Sequence, residues 1–519
     1  MKALVKILNP AKLKVLNYNE NLSKTLDSNI IENKNIPRIV WPTLVAIIIL
    51  GIITRFYFYT GHIFSDDAYY SYLSYTWLKG EFAKDYLGYP VFLLRVGFIG
   101  LTTLSMNVLG TNETATLIFP FIFSILNILL TFKIAILLTQ NSRVALVASF
   151  LIAFFPTDII FSTIGFPDLI NVFFINLGIY FLLKSYKSKK IFWAYIGGVS
   201  FFLSMQIKES IYYTMILLLI LLIYFLLKNR QLNFQILIAL LFIAGNFFIE
   251  GFAYLLLHDD FLYRITITNI NYNYSFYDFF PYTAQKLSGS KNYFGNLFDQ
   301  IFLINAKSVF LRRFYLFLPI VAAIQSYFSF KKKGHKLLIF WFWGTVILLI
   351  AFTTSFTEYK PLDLTRSWYI YPLLMPMIIL SSIFINRFSK LIQNGLIIIY
   401  LLASLIMCFS YQTFFDVKNL DALKDFLREN PSKMIYTDHF TKYSVDLLRG
   451  YEADNSKRIL GDDFSFSQIN KGEWLLYNKK HIEELEMQKY TFPDFTVLNT
   501  NEYRKVAAFK DFIFYEKSD

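Results

Sequence analysis

The feature that most limits this chain is a series of apolar runs, each close to 20 residues long. They fall at about 39–59, 115–138, 143–160, 167–183, 191–206, 210–227, 234–257, 313–330, 337–353, 368–386 and 391–412. A helix needs about 20 apolar residues to cross roughly 30 Å of hydrocarbon, where the backbone can bond only to itself. The runs therefore predict an all-α polytopic membrane protein with about 11 transmembrane helices. Charged residues make up 17% of the 519, against about a quarter in a soluble protein, and mean hydropathy is +0.44.

The net charge of +13 would suit nucleic acid, but the basic residues gather in short loops between the runs. Lys184, Lys187, Lys189 and Lys190 stand in one such loop, Lys228 and Arg230 in another, Lys331 to Lys333 with Lys336 in a third, and Arg387 and Lys390 in a fourth. That placement marks cytosolic loops and not a nucleic-acid footprint. Residues 1–38 form a basic segment, too long and polar for the start of a cleaved signal peptide, so the first span is expected to stay attached with a cytosolic N-terminus. A weaker run, 89–109, is interrupted by Arg95; were it to cross, the Lys-rich loops would land outside. It is expected to lie along the outer face as an interfacial helix.

The transmembrane domain is thus 39–412, with outer loops 60–112, 258–312 and 354–367. Residues 413–519 change to charged, turn-rich sequence in which helical stretches (419–429, 440–450, 480–488) alternate with candidate strands. They read as a small soluble α/β domain on the non-cytosolic side. The single cysteine, Cys408, lies in an apolar run and offers neither a disulfide nor a thiolate metal site.

Several residues at the outer ends of the runs could carry chemistry. Asp66-Asp67 follows the first run; paired carboxylates can serve as a general base and an orienting or metal-holding group, or simply begin a helix. Asp168, after Pro167, suits either a site or a first helical turn. Lys208-Glu209 sits in a very short outer turn, where a charge is paired, solvated or used. Arg366 opens the tenth run and could take a phosphate through its planar fork or anchor the membrane interface. His258-Asp259-Asp260 is a weak metal candidate. No phosphate-binding G-x-x-x-x-G-K-[ST] or zinc-protease H-E-x-x-H is present.

In order and topology these features resemble the GT-C glycosyltransferases of the protein O-mannosyltransferase and lipid A aminoarabinose transferase type. The resemblance covers about 39–390: Arg55, then Asp66-Asp67 and Tyr69, Gly80, Tyr89-Pro90, Gly110, Phe155-Pro156, Asp168, Gly197-Gly198 to Lys208, and Arg366-x-x-Tyr369-x-x-Pro372. Relatives often have Lys or His directly before the Pro of the outer helix; here Tyr89 stands there, with Lys84 further back. The Trp-Trp-Asp signature of oligosaccharyltransferases is absent, which argues against N-linked oligosaccharide transfer.

The resemblance implies a polyprenyl- or dolichyl-phosphate-linked monosaccharide as donor and a hydroxyl of protein, glycan or lipid as acceptor, joined by inverting displacement. It implies Asp66 and Asp67 as catalytic residues, Arg366, Lys208, Lys84 and Arg55 at the donor phosphate, and Asp168, Tyr69, Tyr89 and Tyr369 at the substrates. No organic cofactor is expected; a divalent cation (Mg²⁺ or Mn²⁺) would sit at Asp67. The location implied is the plasma membrane. The alternative is a transporter or lipid-binding membrane protein without catalytic activity, whose charges would line a path at mid-span.

Overall fold

The computed structural model describes residues 37–81, 90–230, 232–274, 309–330, 335–351, 367–451, 455–459, 464–487 and 492–518. The first apolar run is helix α1 (Val40–Tyr57). The segment after it holds α2 (Asp66–Leu78), a 3-10 turn (Pro90–Leu94) and α3 (Val96–Leu109). Then come α4 (Glu113–Thr139), α5 (Ser142–Ala153), α6 (Pro156–Phe161), α7 (Asp168–Ser188), α8 (Phe192–Met205), α9 (Ile211–Asn229), α10 (Phe234–His258) and α11 (Tyr263–Tyr274). Helices α12 (Val309–Ser329), α13 (Lys336–Ala351), α14 (Tyr371–Ile385) and α15 (Lys390–Phe415) complete the bundle.

Among the described residues six helices are long and apolar enough to cross a membrane: α1, α4, α7, α9, α10 and α15. The helices α5, α8, α13 and α14 are apolar but shorter, with 12, 14, 16 and 15 residues. One expectation needs correcting here. The run 143–160 is not a single helix, because α5 stops at Ala153 and Pro156 opens the separate helix α6. Proline disfavours the helical region for the residue before it and is itself preset for a first helical position.

Buried apolar side chains such as Leu44, Ala148, Leu151, Ile378 and Ile379 fill the bundle, while Ile49, Ile53, Leu256, Leu257 and Ile399 point outward. In water that outer surface would be a large exposed patch; in lipid it is the natural solvent. The weak run near 89–109 becomes the 3-10 turn and α3, separated at Arg95, and α3 packs on α2 and α4.

The C-terminal residues form α16 (Val417–Glu429), β1 (Ile435–Thr437), α17 (His439–Leu448), β2 (Ser456–Arg458), β3 (Trp474–Asn478), α18 (Lys479–Met487), β4 (Tyr503–Phe509) and β5 (Phe512–Lys517). The sheet has the order β2-β1-β3-β5-β4, with β1 parallel to β2 and β3 and the other pairs antiparallel. Leu423, Leu427, Ile435, Trp474, Leu476 and Phe514 make one of its cores. Phe64, from the segment after α1, belongs to that same core and meets Phe512 at 5.2 Å between ring centroids. A side chain of the membrane domain is thus a structural part of the sheet domain.

Candidate functional site

The acidic pair sits where the chain turns from α1 into α2. Gly61 and Phe64 take left-handed conformations there, with φ of 73° and 57°. The left-handed backbone at Gly61 favours glycine, and a Cβ there would also crowd the Glu113 carboxylate and come 2.7 Å from Lys424 Nζ. Ser65 is the residue before the helix, and Asp66 is its first residue, exposed.

Asp67, by contrast, is 1% exposed. Its Oδ1 accepts from the backbone N–H of Ser65 (2.8 Å) and Ala68 (3.1 Å), and its Oδ2 from that of Ile63 (2.6 Å). His62 Nδ1 lies 2.9 Å from Oδ2, an ion-pair contact off the line of an ideal hydrogen bond. Burial works to raise the Asp67 pKa, but the His62 charge and these bonds together hold it below its ordinary value. A carboxylate has about four lone-pair positions; three of Asp67's accept backbone N–H groups and the His62 ring lies against the carboxylate. The two carboxylates are therefore unlike: Asp67 anchors the turn and Asp66 faces outward.

The second group of charges lies against the first. A Cβ on Gly165 would sit 3.5 Å from Asp67 Cβ, and three residues further on Asp168 opens α7. Lys208, in the turn between α8 and α9, donates to Asp168 Oδ1 at 2.5 Å. Asn171 braces that turn, donating to the Ser204 and Lys208 carbonyls (2.8 and 2.9 Å). Glu209 points elsewhere, to Arg264 at 3.4 Å and Arg95 at 3.8 Å. Arg264 also grips Glu250 with two bonds (2.8 and 2.7 Å) and donates to the Leu94 carbonyl at 2.9 Å. The Arg95 guanidinium lies over the rings of Tyr70 and Phe92, whose partner Tyr69 is one residue from Tyr70 on α2. The charges so form two groups, Lys208 with Asp168 at the start of α7, and Glu209 and Glu250 with Arg264 and Arg95.

Sequence reasoning singled out Lys208 and Asp168 but missed Glu250 and Arg264, and took Arg95 only as an interruption. A signal existed, since Glu250 stands inside the apolar run 234–257, where an ionisable residue is costly unless paired. Arg55 is fully buried and already committed: it donates to Asp158 at 2.5 Å, to Ser124 at 2.8 Å and to the Gly51 and Ala153 carbonyls. Tyr69 is buried among Phe92, Phe440 and Tyr443. Tyr369 is half-buried in a 3-10 turn just before α14. Lys84, Tyr89 and Arg366 lie outside the described residues. His258 stacks on Tyr263 at 4.0 Å and Asp260 Oδ1 accepts from Leu262 N–H, so that trio forms a turn. Among the described residues no group of three His, Cys, Asp or Glu side chains is arranged to hold a metal.

The chain is thus a bundle of apolar, membrane-length helices on which a small sheet domain is seated. The structure matches ArnT from Cupriavidus metallidurans bound to undecaprenyl phosphate with a TM-score of 0.55 at 11% identity, covering 91% of this chain and 97% of that one. The apo state of that protein matches with a TM-score of 0.56 at 10% identity, over the same shares of both chains. Within the chain, residues 98–249 match the family model of the dolichyl-phosphate-mannose-protein mannosyltransferases. The resemblance to the GT-C glycosyltransferases thus stands on both fold and family model. The oligosaccharyltransferase of Archaeoglobus fulgidus gives a TM-score of 0.47 at 12% identity over 79% of this chain, which spans 61% of that enzyme. No curated protein sequence matches the chain.

Proposed function

We propose that the protein transfers a monosaccharide from a polyprenyl- or dolichyl-phosphate carrier to a hydroxyl acceptor on the non-cytosolic face, with inversion at the anomeric carbon. The observation that carries this reading is the division of labour between Asp66 and Asp67 beside the Lys208 turn. Asp67 is consumed in holding the turn, and Asp66 is left exposed at the start of α2. In this reading the Asp66 carboxylate accepts the proton of the acceptor hydroxyl as its oxygen attacks. The sugar–phosphate bond breaks, and the lipid phosphate leaves with the bonding electrons. Lys208, with Arg366, stabilises the charge growing on that phosphate, as preorganised donors at a poorly hydrated interface do. Asp168 keeps the Lys208 ammonium placed and partly neutralised until the phosphate takes it over. The family model and the fold support the donor class.

The bundle is then oriented with its N-terminus cytosolic and the site and sheet domain outside, in the plasma membrane. The test is a transfer assay on purified protein with a panel of radiolabelled polyprenyl-phosphate sugars. Release of free polyprenyl phosphate coupled to labelling of an acceptor is the expected result. Tight binding of the carriers with no turnover of any of them would instead make this a lipid-binding protein.

A further inference from the structure

We propose that His62 is a positioning residue that ties the C-terminal sheet domain to Asp67 and so fixes the turn presenting Asp66. This rests on the reading of Asp66 as the reacting carboxylate, but its central claim is structural.

His62 is fully buried and held from three sides. Its backbone N–H donates to Glu113 Oε1 at 2.7 Å; its Nδ1 faces Asp67 Oδ2 at 2.9 Å; its Nε2 meets Ser444 Oγ of α17 at 2.9 Å. The Ser444 hydroxyl also reaches the Phe440 carbonyl at 3.2 Å. His62 thus touches the start of α4 through its backbone N–H, and the anchor of α2 and a helix of the sheet domain through its imidazole. Ser444 is 382 residues from His62 in sequence.

The contacts around it give the coupling a rigid frame. Glu113 accepts from Lys424 at 2.8 Å and Arg428 at 2.9 Å, both on α16. Tyr72 stacks on Tyr443 at 4.0 Å between centroids, and Tyr75 on Tyr451 at 4.3 Å. Thr111 Oγ1 donates to the Gly450 carbonyl at 2.9 Å, and Phe64 is inserted in the sheet-domain core. The sheet domain therefore seats directly on the Gly61–Asp67 turn and along α2. His62 is one polar link within that seat, and it leads straight to the carboxylate whose bonds to Ile63, Ser65 and Ala68 set the backbone on both sides of Asp66.

The test is amide hydrogen exchange of residues 62–69 in the full-length protein, followed through a double-mutant cycle. Ser444→Ala removes the domain side of the link. His62→Asn keeps an N–H donor for Asp67 but does not reach Ser444. Each should speed exchange of 62–69 by a similar factor, and the double variant should be no faster than either single, since both remove one contact. His62→Ala, which loses both contacts, should be faster than wild type and faster than either other single variant. Exchange in Trp474–Asn478 should stay slow in every variant, showing that the sheet domain remains folded. In the transfer assay kcat should fall in the same order while donor KM holds. Wild-type exchange in Ser444→Ala, or full additivity in the double variant, overturns the proposal. If the wild-type protein transfers no sugar, the proposed function fails and the exchange arm alone decides the role of His62.

Discussion

At the scale of single residues, the unlike environments of Asp66 and Asp67 predict unlike failures. Asp66→Asn keeps size and helix-start geometry but cannot take a proton. Transfer should drop by about 10²–10⁴-fold while binding of the lipid-phosphate donor survives, measured side by side on purified protein. Asp67→Asn would place an NH₂ group among backbone N–H donors and leave at least one of them unsatisfied. It should lower thermal stability by about 1–3 kcal/mol along with activity. In the sheet domain, Asp438 is buried with His481 Nδ1 at 2.6 Å and the Thr441 N–H at 3.0 Å. Burial opposes ionisation, but the His481 charge and these bonds bring its pKa down to about 2 from an ordinary 3.8. A depressed carboxyl stabilises fully above its unfolded pKa, and that stabilisation is lost as pH falls through the folded value. The stability difference between wild type and Asp438→Asn should therefore be present at about pH 5 and shrink as pH falls from about 4 toward 2.

At the scale of elements, the site depends on how α3 and the turn after α8 approach each other. The Gly97 N–H donates to the Gln206 carbonyl at 2.8 Å, and a Cβ at Gly97 would lie 3.0 Å from that same oxygen. Gly97→Ala should push α3 away from the turn that carries Lys208 and Glu209. The expected result is weaker use of donor with secondary structure retained, read as a raised donor KM and an unchanged circular dichroism spectrum. A wild-type KM would mean that the turn moves without consequence for the phosphate. Lys208→Ala should weaken donor use more strongly, because it removes the cation and leaves Asp168 unpaired in a poorly hydrated place.

At the scale of the whole molecule, the assembly is a membrane bundle with the sheet domain locked onto the segment between α1 and α4. The Phe64 side chain is 8% exposed within the sheet-domain core. Phe64→Ala should cost about 3–5 kcal/mol of the seating, as core phenylalanine truncations do, and loosen the domain. Limited proteolysis at the α15–α16 junction would show it. Orientation has its own test. Asn107 and Lys457 are exposed on α3 and β2, and Lys189 is exposed in a basic loop. Cysteines at the first two should react in intact cells with an impermeant thiol reagent, and one at Lys189 should not; Cys408 is buried. Reaction of Asn107→Cys with protection of Lys457→Cys would split the two segments across the membrane and contradict the observed seating.

Much of the architecture was legible in the sequence for one physical reason: lipid offers the backbone no partner. A run of about 20 apolar residues must become a helix there whatever surrounds it. The acidic pair, Asp168 and Lys208 were legible because charges flanking such runs are conspicuous. The tertiary structure decided what the charges do. The partners of Asp67 include His62 nearby, but the clamp on His62 comes from Ser444, and Lys208 finds Asp168 and not its neighbour Glu209. Glu209 instead joins Arg264 and Arg95, which reach it from other elements. Likewise Phe64 reads as one more apolar residue near a span, yet it completes the core of a domain that begins some 350 residues later. Local pattern sets which segments are helices, because that depends on solvent and backbone alone. Which buried charges pair depends on which helix ends are brought within about 4 Å of one another. Packing settles that.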